Sequence, residues 1–237
     1  MRIVRLIANL GYGSRKDVQR MIRDGRVTDA AGAPVEADAR LDHAELRLYG
    51  ARLDPAPGFT LMLNKPTGYT CSTKDPGRIV YSLLPERFRL RKPALSTIGR
   101  LDRDTSGLLL FTDDGALSHR VTSPRSRIDK IYECTTARDI DPAAVAIFAG
   151  GELMLDSETT PLLPAKMEIL GPRQARLTIS EGRYHQVRRM FAAIGNHVET
   201  LHRPAVGGLA LGDLPSGKWR ICDAADIARL FAGAAPA

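Results

Sequence analysis

The chain has 237 residues, of which 43% are hydrophobic and 26% charged, and this composition is ordinary for a soluble globular protein. The length allows either one large domain or a small domain followed by a large one. Its net charge of +7 favours a polyanionic partner. No apolar run is long enough to span a membrane, and the amino terminus is too charged for a signal peptide. The three scattered cysteines indicate neither a zinc site nor disulfides, which fits a reducing cytosol.

The first fifty residues predict a small unit of two helices and a sheet. Apolar residues at helical spacing predict a helix over 3–10, and Ser14 is a good N-cap for the second helix. Short strands are predicted at 26–28 and 44–49, with a turn between them. Residues 1–26 carry seven basic and two acidic side chains, which indicates either a solvated surface or a patch that contacts RNA phosphates. The candidate RNA contacts are Arg5, Arg15, Lys16, Arg20, Arg23 and Arg26.

Prolines divide the small unit from a large domain. Residues 51–58 predict a semi-rigid linker, so the predicted domains are 1–50 and 59–237. A strand at 59–63 opens the large domain and runs into a turn that contains Lys65. The loop-rich stretch that follows is basic, and it forms either a solvated loop or a second RNA-facing surface. Its basic residues are Lys74, Arg78, Arg87, Arg89, Arg91 and Lys92.

The stretch 99–107 concentrates charged side chains that could take part in catalysis. It begins and ends with glycine, and it places two carboxylates and two guanidinium groups between Arg100 and Asp104. Beside arginines a carboxylate is expected to stay ionised, and an ionised aspartate can act as a nucleophile or base. A solvated loop is the plain alternative. A calcium loop would need its last ligand at Asp113, but the residues between predict a buried strand, 108–111.

The remaining elements alternate between strands and helices. Asp113 is the predicted cap of a helix over 115–121, and 130–136 alternates like a strand. An apolar stripe predicts a helix that starts near Val187, and a turn, strand and short helix close the chain at 209–231. The five histidines form no ligand cluster, and no glycine-rich nucleotide loop is present. We therefore expect neither a metal nor a nucleotide cofactor.

Three stretches resemble the signatures of RNA pseudouridine synthases, in the branch that modifies single uridines in ribosomal RNA. They are G-R-L-D-x-x-T-S-G-L-L from Gly99, K-x-Y from Lys130, and E-G-x-x-x-Q-V-R-R from Glu181. The front unit, with G-x-G-S-R-K between two helices, resembles the S4 RNA-binding module, although 28–32 departs from the usual Val-Asn-Gly turn. The resemblance implies an α+β fold in which a small S4-like domain precedes a mixed sheet with a central cleft.

The resemblance also implies roles for individual residues. Asp102 is expected to be the catalytic nucleophile, Arg188 to pair with it, and Tyr132 to stack on the target base. Asp104 falls at a variable position and is expected to face solvent or cap the turn. Further RNA contacts are expected at Lys65, which borders the site, and at Arg100, Arg103 and Arg189.

The implied activity is isomerisation of a uridine to pseudouridine without any cofactor. The residues around Gln186 resemble those of the family's 16S rRNA enzymes more than those of its 23S rRNA enzymes. This resemblance favours a 16S rRNA target of the uridine-516 type, and we expect the substrate to be a small-subunit assembly particle. We expect a cytoplasmic monomer. The alternatives are a 23S rRNA enzyme of the same family and, from another class, a non-catalytic rRNA-binding or ribosome-assembly protein.

Overall fold

The computed structural model describes residues 2–73 and 75–232, so Lys74 of the predicted basic loop and the last five residues of the predicted large domain lie outside the described residues. Within those ranges no helix is long and apolar enough to cross a membrane. The α-helices are α1 (Ile3–Asn9), α2 (Arg15–Arg23), α3 (Glu86–Arg89), α4 (Gly115–Thr122), α5 (Ala143–Gly150), α6 (Gln186–Ala193) and α7 (Ala224–Leu230). The strands are β1 (Val27–Thr28), β2 (Arg47–Leu48), β3 (Ala51–Arg52), β4 (Thr60–Lys65), β5 (Ser96–Ile98), β6 (Thr105–Thr112), β7 (Lys130–Thr136), β8 (Lys166–Gly171), β9 (Gln174–Ile179), β10 (Val198–Val206), β11 (Leu209–Ala210) and β12 (Trp219–Ile221).

The amino-terminal unit consists of α1, α2 and the sheet β1–β2–β3. Ser14 caps α2 as predicted, in a reciprocal capping box with Asp17. The predicted strand at 44–49 is mostly wrong, because His43–Glu45 form a short 3-10 turn and only β2 pairs. The predicted boundary after Gly50 is also wrong, since β3 completes the small sheet and Leu53 packs in the same core. The unit therefore runs to Leu53.

One mixed sheet organises the large domain. The strand order is β12–β4–β6–β10–β7–β9–β8, with β5 on β6 and β11 on β10. Only the β6–β10 pair is parallel among the described strands, and the other pairs are antiparallel. Strand β6 is almost entirely buried because it has apolar clusters on both faces. This arrangement agrees with the predicted α+β class.

Strands β6 and β10 approach each other closely at Gly107. Its φ of +112° lies in the region that residues with a side chain rarely adopt. A Cβ at this position would lie 2.3 Å from the carbonyl oxygen of Arg203. A glycine is therefore required where the loop that carries Asp102 enters the sheet.

The amino-terminal unit is docked directly on α3. The Arg87 guanidinium donates to Asp54, with Nη2 2.8 Å from Oδ1, and the Tyr12 hydroxyl accepts from the Asp54 amide at 2.9 Å. The Lys92 amide donates to Asn9 across the same junction. A Cβ on Gly11 would lie 2.1 Å from the Arg87 carbonyl oxygen, so the two backbones are in close contact. Direct contact, and not the linker alone, fixes how the two units sit.

The start of α4 corrects two predictions. Asp114, and not Asp113, caps the helix, because its Oδ1 accepts from the amides of Ala116 and Leu117. Asp113 is buried and bonds to Arg91, whose guanidinium lies over the ring of Phe59. The Arg91 side chain is 1% exposed, so it serves the packing of the large domain and does not belong to an RNA-facing surface.

Candidate active site

Asp102 lies on the loop between β5 and β6, at the edge of a cavity of about 730 Å³. Its side chain is 33% exposed, so the carboxylate is open to the cavity while the loop backbone is held. The Thr105 amide donates to the Asp102 carbonyl, and the Gly68 amide donates to the Arg103 carbonyl at 2.8 Å. Asp104 is exposed, as predicted. The loop thus presents one of its two aspartates to the cavity.

Lys65 holds this loop from below. It is fully buried, and its Nζ donates to the carbonyl oxygens of Asp102 at 3.0 Å, Arg103 at 3.3 Å and Thr105 at 2.8 Å. Burial lowers the pKa of the Lys65 ammonium, and the nearby Asp102 opposes that shift. The prediction that Lys65 contacts RNA is therefore wrong, because its charge is enclosed. Lys65 lies against the loop of Asp102, and its hydrogen bonds support that loop.

Tyr132 and Arg203 line the same cavity from neighbouring strands. Tyr132 lies on β7, and its hydroxyl is 3.4 Å from Arg203 Nη1. Arg203 lies on β10, is only 5% exposed, and donates Nε and Nη2 to the Leu108 carbonyl at 2.9 and 2.7 Å. A buried guanidinium beside the tyrosine therefore places positive charge in this wall of the cavity. Lys130 adds to this charge, although burial, and then Arg203, lower the pKa of its ammonium.

His185 is the side chain that meets the Asp102 carboxylate. Its Nε2 lies 3.4 Å from Asp102 Oδ1. The predicted Arg188–Asp102 pair is not formed, because Arg188 reaches β10 and the loop backbone: Nη1 donates to the Val198 carbonyl and Nη2 to that of Asp104. Arg188 therefore connects helix α6 to the loop of Asp102 through the Asp104 carbonyl, two residues after the expected partner. Neither His185 nor Arg203 was predicted as a site residue.

Arg189 is committed to protein contacts. Its Nη1 donates to Glu158 at 2.9 Å and to the Tyr184 carbonyl at 3.2 Å. Arg183 binds the other oxygen of the Glu158 carboxylate at 3.3 Å. These contacts, with 25% exposure of the Arg189 side chain, argue against the predicted RNA contact there. Arg100 and Arg103, by contrast, are exposed beside Asp102, as an RNA-contacting role requires.

The predicted basic surface of the amino-terminal unit is exposed throughout. Arg20 pairs with Asp17 at 3.0 Å, and the Arg26 guanidinium lies 5.8 Å from the ring centre of Tyr49. The other basic side chains predicted to contact phosphates are exposed as well, namely Arg5, Arg15, Lys16 and Arg23. Exposure permits an RNA contact at these positions, which remains a prediction.

Carboxylates and histidines do not gather into a metal site in the part of the chain that the structure describes. Asp102 and Asp113, which a calcium loop would bring to one ion, lie at opposite ends of β6. The eight residues of that strand span roughly 26 Å at the usual rise per residue. The calcium alternative is therefore incompatible with the fold.

Comparison with known proteins decides the family. Residues 60–193, more than half of the chain, match the model of a family described as RNA pseudouridylate synthase. The chain belongs to the RNA pseudouridylate synthase family. The matched segment runs from β4 through α6 and includes Lys65, Asp102, Tyr132 and Arg188. This confirms the predicted family and the predicted enzyme class, an isomerase.

Individual relatives extend the likeness to the whole chain. The sequence is 43% identical to the ribosomal small subunit pseudouridine synthase A of Escherichia coli (strain K12), over 96% of this chain and 99% of the relative. It is 41% identical to the protein of the same name in Pseudomonas aeruginosa, again over 96% and 99%. A crystal structure of a pseudouridylate synthase is similar with a TM-score of 0.69 and 36% identity, over 97% of this chain and 99% of that one. The last comparison confirms the fold class.

Proposed function

We propose that this pseudouridylate synthase converts a uridine of small-subunit rRNA into pseudouridine, with Asp102 as the nucleophile. The observation that carries the proposal is the Asp102 carboxylate, which faces a 730 Å³ cavity from a loop clamped by Lys65. The near-complete overlap with small-subunit enzymes from two bacterial species favours 16S rRNA over 23S rRNA. The proposed target is a single uridine of the uridine-516 type.

The reaction requires a base that has left its stack. The C1′–N1 bond breaks, the uracil rotates, and a C1′–C5 bond forms, while the proton on C5 leaves to solvent and N1 gains one. The cavity can enclose a flipped nucleotide, and flipping is least costly in single-stranded RNA. In this proposal the Asp102 carboxylate attacks either C1′ of the ribose or the uracil ring, or else assists formation of a glycal. Any bond that it forms to the nucleotide breaks again before the product leaves, so the isomerisation consumes neither a redox partner nor an energy source.

Other residues at the site have separate roles in the proposed reaction: stacking the base, stabilising negative charge and positioning the loop. Tyr132 offers a ring on which the uracil stacks, in line with the usual way that proteins hold an unstacked base. Arg203, fixed by the Leu108 carbonyl, keeps the Tyr132 hydroxyl in place and supplies positive charge where the uracil oxygens gain electron density. Arg188 positions the catalytic loop through the Asp104 carbonyl and does not contact the carboxylate.

The proposal also covers the setting of the reaction. The substrate is rRNA within a small-subunit assembly particle, bound by the S4-like amino-terminal unit and by Arg100 and Arg103 at the cavity. The enzyme acts as a cytoplasmic monomer. The docking of the amino-terminal unit on α3 supports a single continuous RNA-binding face, because it holds the two units in one relative position.

Replacing Asp102 tests the proposal. Asp102→Asn keeps the shape of the side chain but removes its charge, so we expect tritium release from 5-tritiated uridine in small-subunit particles to fall to background. Asp104→Asn, in the same loop but exposed, is the matched control and should retain most activity. Both variants should bind rRNA and melt like the wild type.

The outcomes separate the alternatives. Substantial tritium release by folded Asp102→Asn protein would refute the role of Asp102. Wild-type release from 23S but not 16S particles would favour the large-subunit alternative. A wild-type protein that binds rRNA yet releases no tritium from either would be a binding or assembly protein.

A further inference from the structure

Two aromatic side chains form a stacked pair at the mouth of the cavity. The rings of Tyr184 and His185 have centroids 3.8 Å apart and planes within 17° of parallel. Both residues line the cavity that holds Asp102. Tyr184 is nevertheless 68% exposed, which is unusual for a large aromatic ring beside an enclosed site. The mechanism proposed above gives this ring no task.

Contacts of His185 with Asp102 and of the Tyr184 carbonyl with Arg189 hold the pair in place. His185 is anchored by its 3.4 Å contact with Asp102, and its backbone has a φ of +51°, which a residue with a side chain rarely adopts. The Tyr184 carbonyl accepts from Arg189, which is itself bound to Glu158. Glu158 also binds Arg183, the residue that precedes Tyr184. The exposed ring is therefore presented by a fixed scaffold.

One face of the Tyr184 ring remains open. His185 covers the other face, so the exposed area belongs to the open face and the ring edge. Unpaired RNA bases stack on exposed aromatic rings with little dependence on sequence, because every base has a flat π-face. Arg183 and Arg189 are occupied by Glu158, whereas Arg100 and Lys130 line the cavity and can face the phosphates of a bound strand.

We propose that the open face of Tyr184 is a stacking subsite for an unpaired nucleobase adjacent to the uridine that enters the cavity. This inference rests on the proposed function, since it places one nucleotide in the cavity and its neighbour outside. The subsite selects for RNA in which the flanking base is also unpaired. His185 stacks on the inner face of Tyr184 and contacts the Asp102 carboxylate, so it links the flanking nucleotide on Tyr184 to the reacting one in the cavity.

Fluorescence of 2-aminopurine tests the subsite in the full-length protein. The probe is a short oligouridylate that carries one 2-aminopurine, whose emission is quenched on stacking. We expect quenching with the wild type and with Tyr184→Phe, which keeps the ring. Tyr184→Ala should lose the quenching and bind the probe roughly 5- to 100-fold more weakly, as expected for the loss of one stacked base. Tyr49→Ala, which removes a tyrosine that is 65% exposed in the amino-terminal unit, should quench like the wild type.

Two results would overturn the subsite: quenching by Tyr184→Ala equal to that of the wild type, or loss of quenching in Tyr184→Phe as well. Thermal melts establish that each variant is folded. Tritium release from small-subunit particles is measured in parallel. If the wild type released tritium but Tyr184→Ala quenched the probe as strongly as the wild type, the subsite alone would be refuted. If quenching depended on the Tyr184 ring but the wild type released no tritium, the base-binding subsite would be supported and the proposed function refuted.

Discussion

At the scale of single residues, Lys65 shows how a buried charged side chain can hold a loop of the candidate site without facing the cavity. Its ammonium is enclosed and shared among carbonyl oxygens of the loop that carries Asp102. The ordinary cost of burying a charge is offset because these oxygens replace water as hydrogen-bond partners. The consequence is a loop whose backbone is fixed while its aspartate stays open to the cavity.

Lys65→Met keeps the length of the side chain and removes its donors. Because three loop carbonyls then each lose a charge-assisted hydrogen bond at a buried position, we expect the free energy of unfolding to fall by at least about 2 kcal/mol. Displacement of Asp102 should lower the turnover rate roughly 100-fold even where the variant is fully folded. Denaturant titration and single-turnover tritium release at low temperature measure the two effects.

The matched control for this change is Lys166→Met on β8, whose side chain is 73% exposed. It removes the same charge from the surface and should change neither quantity appreciably. If Lys65→Met left stability and turnover intact but weakened RNA binding, Lys65 would be an RNA contact after all.

At the scale of secondary-structure elements, the parallel pair β6–β10 determines the geometry of the site. It places Arg203 opposite Gly107, and therefore directly beside the end of the loop that carries Asp102. The antiparallel neighbour β7 then brings Tyr132 within reach of the Arg203 guanidinium. Three segments that are distant in the chain supply one cavity wall because these strands pair in this order.

Gly107→Ala tests the close approach of the two strands. The added Cβ would meet the Arg203 carbonyl and the residue would have to keep a φ of +112°, so we expect a loss of about 3 kcal/mol or more in the free energy of unfolding. Gly115→Ala at the start of α4 is the control. Its Cβ would have nothing within 4 Å, and it should stabilise the protein by up to about 1 kcal/mol.

Denaturant unfolding of the two glycine variants measures the difference. Equal stability of Gly107→Ala and the wild type would mean that β6 and β10 can separate without cost. In that case the rigid placement of Arg203 beside the catalytic loop would have no structural basis.

At the scale of the whole molecule, the basic side chains of α2 and the docking of their unit on α3 are both expected to contribute to RNA binding. The exposed basic side chains of α2 belong to a unit that is held against α3 by the Asp54–Arg87 contact and by the close approach at Gly11. A patch that is fixed relative to the cavity can contribute affinity without the entropy cost of ordering a flexible linker. The proposed RNA-binding face is thus built from both units.

Salt dependence of RNA binding measures the contribution of this patch. Neutralising four exposed side chains of α2 to Gln should weaken binding and reduce the slope of log K against log salt by as much as about 3, at roughly 0.7 per phosphate for single strands. Turnover at saturating RNA should change little. The four substituted residues are Arg15, Lys16, Arg20 and Arg23.

A second variant distinguishes the effect of the α2 side chains on RNA binding from the effect of the protein's net charge. Changing Lys166, Arg173 and Arg176 to Gln lowers the positive charge at the β8–β9 edge, far along the sheet order from β6. This variant should leave the salt slope close to that of the wild type. Equal reductions in both variants would assign the effect to overall charge and not to α2.

The sequence by itself determined the features that depend on neighbours along the chain. The Ser14 cap of α2, the bounds of β7 and the apolar stripe of α6 follow from short-range spacing and capping chemistry. The signature around Asp102 predicted the family that the comparisons confirm. The third strand of the amino-terminal sheet escaped prediction, because a pair of residues is too short to show a strand period.

Only the tertiary structure decided which side chains meet at the site. Lys65 reaches the loop of Asp102 across 37 residues, and Arg203 reaches the Leu108 carbonyl across 95. Such contacts depend on strand order and register, which local spacing does not encode. The same holds for His185, which takes the place expected for Arg188 because α6 begins only at Gln186 and leaves the histidine facing the aspartate. The structure also turned Lys65 and Arg189 from expected RNA contacts into residues that bind other parts of the protein, Lys65 through burial and Arg189 through its pair with Glu158. The local sequence around a basic residue does not show whether solvent, a carbonyl or a carboxylate will surround it.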